Sequence, residues 1–549
     1  MKFKLIDSLY EARDTDTVYL IYIHWDDYGY CTEFEAYYLA VKEEGLQKLG
    51  VLKIGCYNLK NKVEPTRTIN DYLSYSIKQL LPKNTFKSLP EDFFSLGQDI
   101  NYYKNINRIL DERAFNYYES LRDLSSNIDQ FKRMHNQGEP ILINSLMRNL
   151  YYPVILQFCR IIHGESELTP YSFDFKYDTE EININVVPDS KPPSNIHVLI
   201  GRNGVGKTWL LYNIVNRLLQ NSGSEVALEP SKKYEVSDRF SIECAQNSFS
   251  GVIGISFSVF DDALCLEVDN NYLESLDKKV AKEKLEIFNR KYKYIGLVSK
   301  NQKDGKTKTK SVEDLKKEFR DALKRIKMHR NKIDIYLETC RNLNTDPMFS
   351  DNEFIKILEC YLNSEDIPKE GYDLETQELK LVMYNFNKLS SGHMIIMLSL
   401  TLLSESIYEK TIVVIDEPET HLHPPLLSTY IRTLSYLLVK KNAVAIIATH
   451  SPIVLQEVPR NCVNRVDRVK KDMYFSDIKI ESFATSIDSL TREVFGLELI
   501  KTGFYQLIER ELESDFEKTL EKFEKNVGYL GQVLIQSLVN KAVKDNEEN

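Results

Sequence analysis

Residues 201–208 have the types and spacing that hold the phosphates of a nucleotide. They fit the pattern G-x-x-x-x-G-K-[ST], in which glycines let the backbone turn tightly and aim its N–H groups at the phosphates. The lysine of such a loop reaches the β- and γ-phosphates, and the hydroxyl after it binds Mg²⁺. The predicted nucleotide-binding residues are Gly201, Arg202, Asn203, Gly204, Val205, Gly206, Lys207 and Thr208, and Thr208 is also a predicted metal ligand.

The segments on either side of this loop distinguish a phosphate site from a glycine turn that ends in Lys-Thr by chance. Residues 196–200 are mostly apolar, which predicts a buried strand. After the loop, apolar residues recur at helical spacing. A loop between a buried strand and a helix is the context that a phosphate loop requires, and the helix N-terminus adds a favourable field for anions.

An acidic pair, Asp416 and Glu417, follows a second predicted buried strand at residues 411–415. An aspartate there can hold Mg²⁺, directly or through water, so Asp416 is a predicted metal ligand. The next glutamate can polarise a water molecule against the γ-phosphate, which makes Glu417 a predicted catalytic residue. A third predicted strand, residues 443–448, places His450 at the same edge of the sheet.

The pentapeptide at residues 389–393 precedes a strongly apolar predicted helix. It contains Ser390, Ser391 and Gly392, a helix start that caps many helices that bind nothing. Its position between the phosphate loop and the acidic pair gives it more weight than its composition does.

The composition bounds the class of protein. The chain has 549 residues, 42% of them hydrophobic and 28% charged, which is typical of a soluble protein of about three or four domains. Its most apolar stretch is shorter than the ~20 residues that cross a bilayer, and the acidic N-terminal segment lacks an export signal. We therefore expect a cytoplasmic protein without a membrane partner. Eight cysteines without a C-x-x-C pair argue against a zinc knuckle or a disulfide scaffold.

The order of elements predicts an α/β fold with additions at both ends and in the middle. Alternating hydrophobicity predicts strands near residues 17–25, 31–41 and 51–57, and helical periodicity follows from residue 100. The predicted regions are an N-terminal β hairpin plus helical region at 1–165, whose β part could instead belong to the first lobe, a first lobe with the phosphate loop at 166–270, a helical basic insertion at 271–380, a second lobe at 381–465, and a helical, partner-binding C-terminal region at 466–549.

The insertion carries a locally basic segment, although the whole chain has a net charge of −10. Residues 300–332 contain thirteen Lys or Arg and five Asp or Glu. Two interpretations stay open: a solvated loop followed by a charged helix face, or a surface that binds phosphates of nucleic acid.

Over residues 170–465 the order of motifs resembles the ABC-type ATPases. Residues 201–208 look like their Walker A loop, 389–393 like the signature loop, 412–417 like Walker B with its catalytic glutamate, and His450 like the catalytic switch histidine. The signature departs from the usual L-S-G-G-Q at Ser391 and His393. The Q-loop glutamine of the family has no clear counterpart, and Asp261 or Asp262 is a candidate for its place.

The resemblance implies ATP and Mg²⁺ as cofactors and a shared site. In this family the signature loop of one subunit closes over the ATP that another subunit holds, so a homodimer or higher homo-oligomer is implied, with Ser390, Ser391 and Gly392 binding the nucleotide. Hydrolysis then turns chemistry into opening and closing. Residues 416–424 also resemble the interface segment of ATPases of the overcoming-lysogenisation-defect type, which we favour over a metal site at Glu419, His421 and His423.

Residues 25–30 and 487–505 resemble the PtuA family, the ATPases of Septu-type and retron-associated antiphage systems. That resemblance implies the HNH nuclease PtuB as a partner, and in a retron a reverse transcriptase with its RNA–DNA. The final stretch after residue 465 contains no D-x-D pair, so no nuclease motif is found. The alternatives are a DNA-repair, SMC-like or overcoming-lysogenisation-defect-like ATPase that acts on nucleic acid directly, and an RNA-targeting toxin.

Overall fold

The structure is a computed structural model. It describes residues 1–549 apart from 41–44, 68–72, 83, 166, 222–225, 230, 232, 245–247, 260, 301–306, 329, 352, 365–375, 471, 500–502 and 548–549. Two lysines of the predicted basic segment, Lys303 and Lys306, therefore lie outside the described residues.

The first 165 residues build a sheet and helices around their own apolar core. The sheet has the order β1-β2-β4-β5-β8, and β2 pairs antiparallel with β4, as the predicted hairpin requires. The elements are β1 (Lys2–Ile6), β2 (Thr17–Tyr22), β3 (Tyr30–Cys31), β4 (Glu33–Leu39), β5 (Leu46–Cys56), α1 (Leu59–Lys62), β6 (Thr66–Arg67), β7 (Leu73–Ser76), β8 (Phe93–Gly97), α2 (Ile100–Leu110), α3 (Ala114–Ser120), α4 (Ile128–Asn136) and α5 (Tyr152–Ile162).

The next segment contains the strand and helix on either side of the phosphate loop. Before them a hairpin of strictly alternating residues pairs antiparallel, and it forms a small sheet of the order β10-β9-β12. The elements are β9 (Tyr171–Tyr177), β10 (Glu180–Val186), β11 (Ile196–Ile200), α6 (Lys207–Asn221), β12 (Phe240–Glu243) and β13 (Val252–Ser256).

The region predicted as a helical insertion is mostly helical but also supplies a strand to the central sheet. β14 pairs parallel with β13, which helical periodicity did not predict because the strand is only five residues long. The elements are α7 (Asn270–Glu274), α8 (Lys278–Lys291), β14 (Tyr292–Gly296), β15 (Val298–Lys300), β16 (Thr307–Thr309), α9 (Val312–Lys327), α10 (Arg330–Arg341), α11 (Pro347–Asp351), α12 (Phe354–Asn363) and α13 (Gln377–Phe386).

The last part of the chain completes the sheet and ends in helices. Residues 466–549 are not wholly helical as predicted, because β19 and β20 pair antiparallel and extend the central sheet as far as Asp477. The elements are α14 (Ser391–Ser406), β17 (Ile412–Asp416), α15 (Pro424–Lys441), β18 (Val444–Thr449), α16 (Pro452–Leu455), β19 (Val463–Val469), β20 (Asp472–Asp477), α17 (Ile487–Leu499), α18 (Phe504–Arg510), α19 (Phe516–Lys522) and α20 (Tyr529–Glu547).

The central sheet has the order β14-β13-β17-β18-β11-β19-β20 and is parallel except at β20. The three strands that carry polar residues at their ends, β17, β18 and β11, are therefore neighbours. Because carboxyl ends of parallel strands meet at one edge, this order brings the phosphate loop, the acidic pair and His450 to the same edge.

Both faces of this sheet are buried, which explains the near-continuous apolar strands. In β11, Ile196, Val198 and Ile200 pack on the side of α14 and α15, whereas Leu199 packs on the side of α6. Helices on both faces of a mostly parallel sheet confirm the predicted α/β fold class. Among the described residues, no helix has the length and apolarity that a bilayer-spanning helix needs.

Candidate nucleotide-binding site

The phosphate loop leaves β11 and enters α6 at Lys207. Gly204 and Gly206 have φ values of +81° and +101°, in the left-handed region that favours glycine. Gly201 is required for another reason: a Cβ at this position would lie 2.3 Å from the carbonyl oxygen of Val466 on β19. The loop can therefore keep this path only with glycine at all three positions.

Lys207 is buried, and its Nζ donates to the carbonyl oxygens of Gly201 at 2.9 Å and Arg202 at 3.0 Å. Burial lowers the pKa of Lys207, and the carboxylates of Glu417 and Asp416 oppose that shift. The ammonium group thus lies inside the loop, facing carbonyl oxygens and acidic side chains. These are the surroundings in which a phosphate oxygen can take the place of a carbonyl as acceptor.

Thr208 and Asp416 are joined directly: the Thr208 hydroxyl donates to Asp416 Oδ2 at 2.8 Å. Asp416 Oδ1 is buried and has no hydrogen-bond partner within the described part of the chain. Burial raises the pKa of Asp416 to about 7, against the effect of the Thr208 hydrogen bond, and the charge of Glu417 raises it further. A buried carboxylate oxygen without a partner beside a threonine hydroxyl is a donor set that suits Mg²⁺.

Glu417 and His450 come together at the ends of β17 and β18. His450 Nδ1 lies 3.7 Å from Glu417 Oε1 and 3.1 Å from Glu419 Oε1. The interaction of these two side chains is the main cause that raises the pKa of His450 and lowers the pKa of Glu417. Glu417 also has a φ of +46°, a conformation that costs energy in a residue other than glycine and is often found at functional sites.

Glu419 is a site residue that the sequence analysis considered only as a metal ligand and set aside. Its Oε1 accepts hydrogen bonds from the Thr449 hydroxyl at 2.7 Å and from the backbone N–H of His450 at 2.9 Å. It therefore fixes the end of β18 and the position of the His450 side chain. The sequence shows only a second glutamate two residues after Glu417, and this spacing does not predict which way the side chain of Glu419 points.

The signature residues begin α14, with Ser390 as its N-cap. Ser390 and Ser391 are exposed, and Gly392 is buried against the turn at 418–421. A Cβ on Gly392 would lie 3.0 Å from the carbonyl oxygen of His421. The hydroxyl of Ser390 contacts His393, with 2.6 Å between Oγ and Nδ1. The structure thus presents these serines at an exposed helix start and ties α14 to the segment after Glu417.

The candidates for the Q-loop position make other contacts. Asp261 Oδ2 accepts from Lys233 Nζ at 2.9 Å and from the Tyr234 hydroxyl at 2.5 Å. Asp262 Oδ2 accepts from the Thr307 hydroxyl at 2.5 Å. The charge of Asp261 contributes to the raised pKa of Asp416, the predicted metal ligand.

The two histidines after the acidic pair face away from one another. His421 Nε2 lies 3.0 Å from the carbonyl oxygen of Phe257, and His423 caps α15 through the backbone N–H of Leu426 at 3.3 Å. Within the described ranges no group of three or more His, Cys, Asp or Glu has an arrangement that could hold a metal ion.

Comparisons with known proteins agree with this geometry. Residues 279–456 match a family described as "AAA domain, putative AbiEii toxin, Type IV TA system". The matched segment starts after the phosphate loop and includes the signature, Asp416, Glu417 and His450. The fold, the site and this match together define a P-loop ATPase, the class that uses ATP and Mg²⁺.

The chain belongs to the same family as protein ea59 of Escherichia phage lambda. The two are 32% identical over 533 residues, which is 94% of this chain and 93% of ea59. A solved structure of a metal-chelate-type ABC transporter in an inward-facing conformation is also similar, with 13% identity and a TM-score of 0.25 over 59% of this chain and 88% of that one. A likeness at this level adds nothing to the assignment.

Proposed function

We propose that this chain binds Mg²⁺-ATP between two copies of itself and hydrolyses it. The observation that supports this function is the meeting of Lys207, Thr208, Asp416, Glu417 and His450 at the ends of three neighbouring strands. Exposed Ser390 and Ser391 at the start of α14 supply the second half of each site to the other copy.

Each residue has a distinct task in that reaction. Lys207 and the N–H groups of the loop bind the β- and γ-phosphates, and Thr208 and Asp416 hold the metal ion, which neutralises charge on the phosphates. Glu417 orients the attacking water and accepts its proton. His450, fixed by Glu419, lies against Glu417 and binds the γ-phosphate side of the site.

Mixing two inactive variants tests whether the site is shared. Lys207→Ala damages the phosphate loop, and Ser390→Glu places a negative charge at the exposed position where the signature is proposed to meet the γ-phosphate. Each variant alone is expected to be inactive. Mixed in equal amounts, they should recover about a quarter of the wild-type turnover, because half of randomly paired dimers contain one intact site of two.

Two outcomes decide the matter. Recovery that rises with protein concentration supports a shared site. No recovery in a mixture that forms mixed dimers, detected by differently tagged copies, would show that each chain uses its own signature and would overturn the shared site. The matched control is a chain with both substitutions, mixed with wild type. Its mixed dimers contain no intact site, so the loss of wild-type turnover measures how far the subunits exchange.

The biological setting we propose is an antiphage defence complex in which this ATPase controls an HNH nuclease of the PtuB kind. The support is the sequence resemblance of residues 25–30 and 487–505, together with exposed apolar side chains on the C-terminal helices. Helices α18, α19 and α20 have a small apolar core of their own. Their exposed apolar side chains are Phe504 at 51%, Leu507 at 51%, Tyr529 at 83% and Val533 at 48% exposure.

Co-expression with the nuclease encoded by a neighbouring gene tests this setting. We expect the two proteins to purify together, and Tyr529→Asp with Phe504→Asp to separate them without changing ATP turnover. A mass measurement of the complex gives its stoichiometry. Failure of any neighbouring nuclease to bind would remove the defence proposal and leave the ATPase proposal standing.

In a retron, the proposed defence complex also contains a reverse transcriptase with its RNA–DNA. Direct action of this chain on nucleic acid is the alternative, and the described part of the basic segment supports it less. Lys310 pairs with Glu318 at 2.7 Å and Lys316 with Glu313 at 2.8 Å. Lys300, whose side chain is 7% exposed, lies 3.8 Å from Glu229. Much of this positive charge is therefore already matched by carboxylates.

A further inference from the structure

The signature has histidine at position 393 instead of the usual glutamine, and this histidine contacts both a serine and an aspartate at the start of α14. Ser390 Oγ lies 2.6 Å from His393 Nδ1, and His393 Nε2 lies 3.0 Å from Asp346 Oδ1. His393 is 6% exposed and Asp346 is 8% exposed, whereas Ser390 is exposed. The buried imidazole of His393 thus connects the carboxylate of Asp346, which lies in the helical insertion, to the exposed side chain of Ser390.

The imidazole is held firmly in this orientation. Asp346 follows the short helical turn at 342–345 and also accepts the backbone N–H of Met348 at 2.9 Å. The ring of Phe349 packs edge-on against the imidazole with 5.0 Å between centroids. By contrast, the helix-capping contact from the His393 N–H to Ser390 Oγ is long, at 3.5 Å. The main partner of the serine hydroxyl is therefore the ring.

This connection determines what the serine can offer to a ligand. Because Asp346 accepts from Nε2–H, Nδ1 is left to interact with Ser390. When His393 is neutral, Nδ1 accepts the hydroxyl proton of Ser390, and Ser390 has only lone pairs to present. When His393 is protonated, Nδ1–H donates to Oγ, and the hydroxyl proton is free to point outward.

We propose that His393 and Asp346 are positioning residues that direct the hydroxyl proton of Ser390 toward the γ-phosphate held by the partner copy, so that closure of the dimer requires a protonated His393. The inference rests on the proposed function, since it assigns Ser390 to the other copy's ATP. Related signatures usually have glutamine at this position. The amide N–H₂ of glutamine donates a hydrogen bond in its neutral form, whereas Nδ1 of His393 donates only when the ring is protonated.

The other charged groups around α14 do not compete for His393. On the turn at 418–421, His421 interacts with the Phe257 carbonyl, and His423 caps α15. The cations on α9, α10 and β14 lie against Glu405 at the far end of α14, about 18 Å away at 1.5 Å per residue. Those cations are Arg325, Lys332 and Lys293.

The test measures ATP-dependent dimerisation in a Glu417→Gln background, in which hydrolysis does not interfere. Across about pH 5 to 8, the range in which imidazole changes charge, we expect dimerisation to weaken as pH rises. Because the pKa of Asp416 is about 7 and the pKa of His450 is raised, both groups also affect this profile, and His393→Gln should remove only the part of the pH dependence that His393 causes. Adding His393→Phe removes the ring partner of the Ser390 hydroxyl, so this variant too should lose the pH dependence that His393 causes, whereas a purely structural role would leave that dependence in place.

Asp346→Asn and His163→Gln complete the design. Asp346→Asn replaces the carboxylate that accepts from His393 Nε2–H with a neutral amide, so the pH profile should differ from that of the parent if Asp346 positions the ring. His163 is an exposed histidine on another region, and its replacement should leave the profile unchanged. Thermal unfolding of each variant shows whether a buried change has damaged the fold.

The outcomes separate this inference from the function on which it rests. If Glu417→Gln forms no dimer with ATP at any pH, the proposed function fails. If it dimerises, but the pH profile with His393→Gln overlays the profile with histidine, the positioning role is wrong and the shared ATP site stands. Removal by His393→Gln of the part of the pH dependence that His393 causes, with the His163→Gln profile unchanged, supports the inference.

Discussion

Replacement of Glu417 by Gln is expected to lower ATP turnover by about 10²- to 10⁴-fold and to leave ATP binding intact. Glutamine has the same shape as glutamate but cannot accept the proton of the attacking water. The substitution also removes the charge that interacts with His450, 3.7 Å away, while Glu419 still holds that ring at 3.1 Å. The phosphate loop and Thr208–Asp416 stay as they are, so ATP binds but is not consumed.

Two measurements follow from this expectation. Phosphate release gives the turnover, and mass measurement with ATP shows whether closed dimers accumulate. Glu283→Gln, on an exposed position of α8, is the matched control and should behave as wild type. Unchanged turnover in Glu417→Gln would show that Glu417 is not the base, and the assignment of this edge of the sheet as a hydrolytic site would fail.

Replacement of Lys207 by Ala is expected to abolish measurable nucleotide binding. The ammonium of Lys207 is the only cationic group of the loop that is buried beneath it, and each hydrogen bond between a charged donor and phosphate contributes about 1.5–3 kcal/mol. Contacts to two phosphates therefore correspond to an affinity loss of about a hundredfold or more. Titration calorimetry with ATP and Mg²⁺ measures the loss directly.

The stability of this variant must be followed in parallel. Lys207 donates to the carbonyl oxygens of Gly201 and Arg202, so its removal also takes two hydrogen bonds from the loop itself. Lys356→Ala, at an exposed lysine of α12, is the control for loss of one positive charge. If Lys207→Ala remains folded and binds ATP with wild-type affinity, the loop does not bind phosphate in the way we infer.

The sequence predicts the local elements of the site well because each has a local cause. Residues 196–200 form β11, and its apolar run reflects burial on both faces of the sheet. Strand β17 ends at Asp416, because Pro418, two residues later, cannot continue the hydrogen-bond ladder of the sheet. The glycines of the loop are required by two left-handed φ values and one close approach.

What the sequence does not predict depends on contacts between distant residues. Asp346 contacts His393 although the two are 47 residues apart in the sequence, and no local pattern around either residue predicts this contact. The five residues of β14 directly follow α8 and are too few to show a period of their own, so their place beside β13 is visible only in the sheet. Glu419 was misjudged for a related reason, since its role depends on where β18 ends.

The position of β11 between β18 and β19 has a consequence for how the protein is made. Asn195, next to β11, bonds the carbonyl oxygen of Ala443, 248 residues further along the chain. At synthesis rates of about 5–20 residues per second, the loop waits some tens of seconds before either neighbouring strand exists. During that time the apolar residues of β11 have neither of their two partner strands, and an unpaired apolar segment of this kind favours aggregation of the nascent chain. Nucleotide affinity is thus acquired late in synthesis, after the strand that follows His450 has emerged.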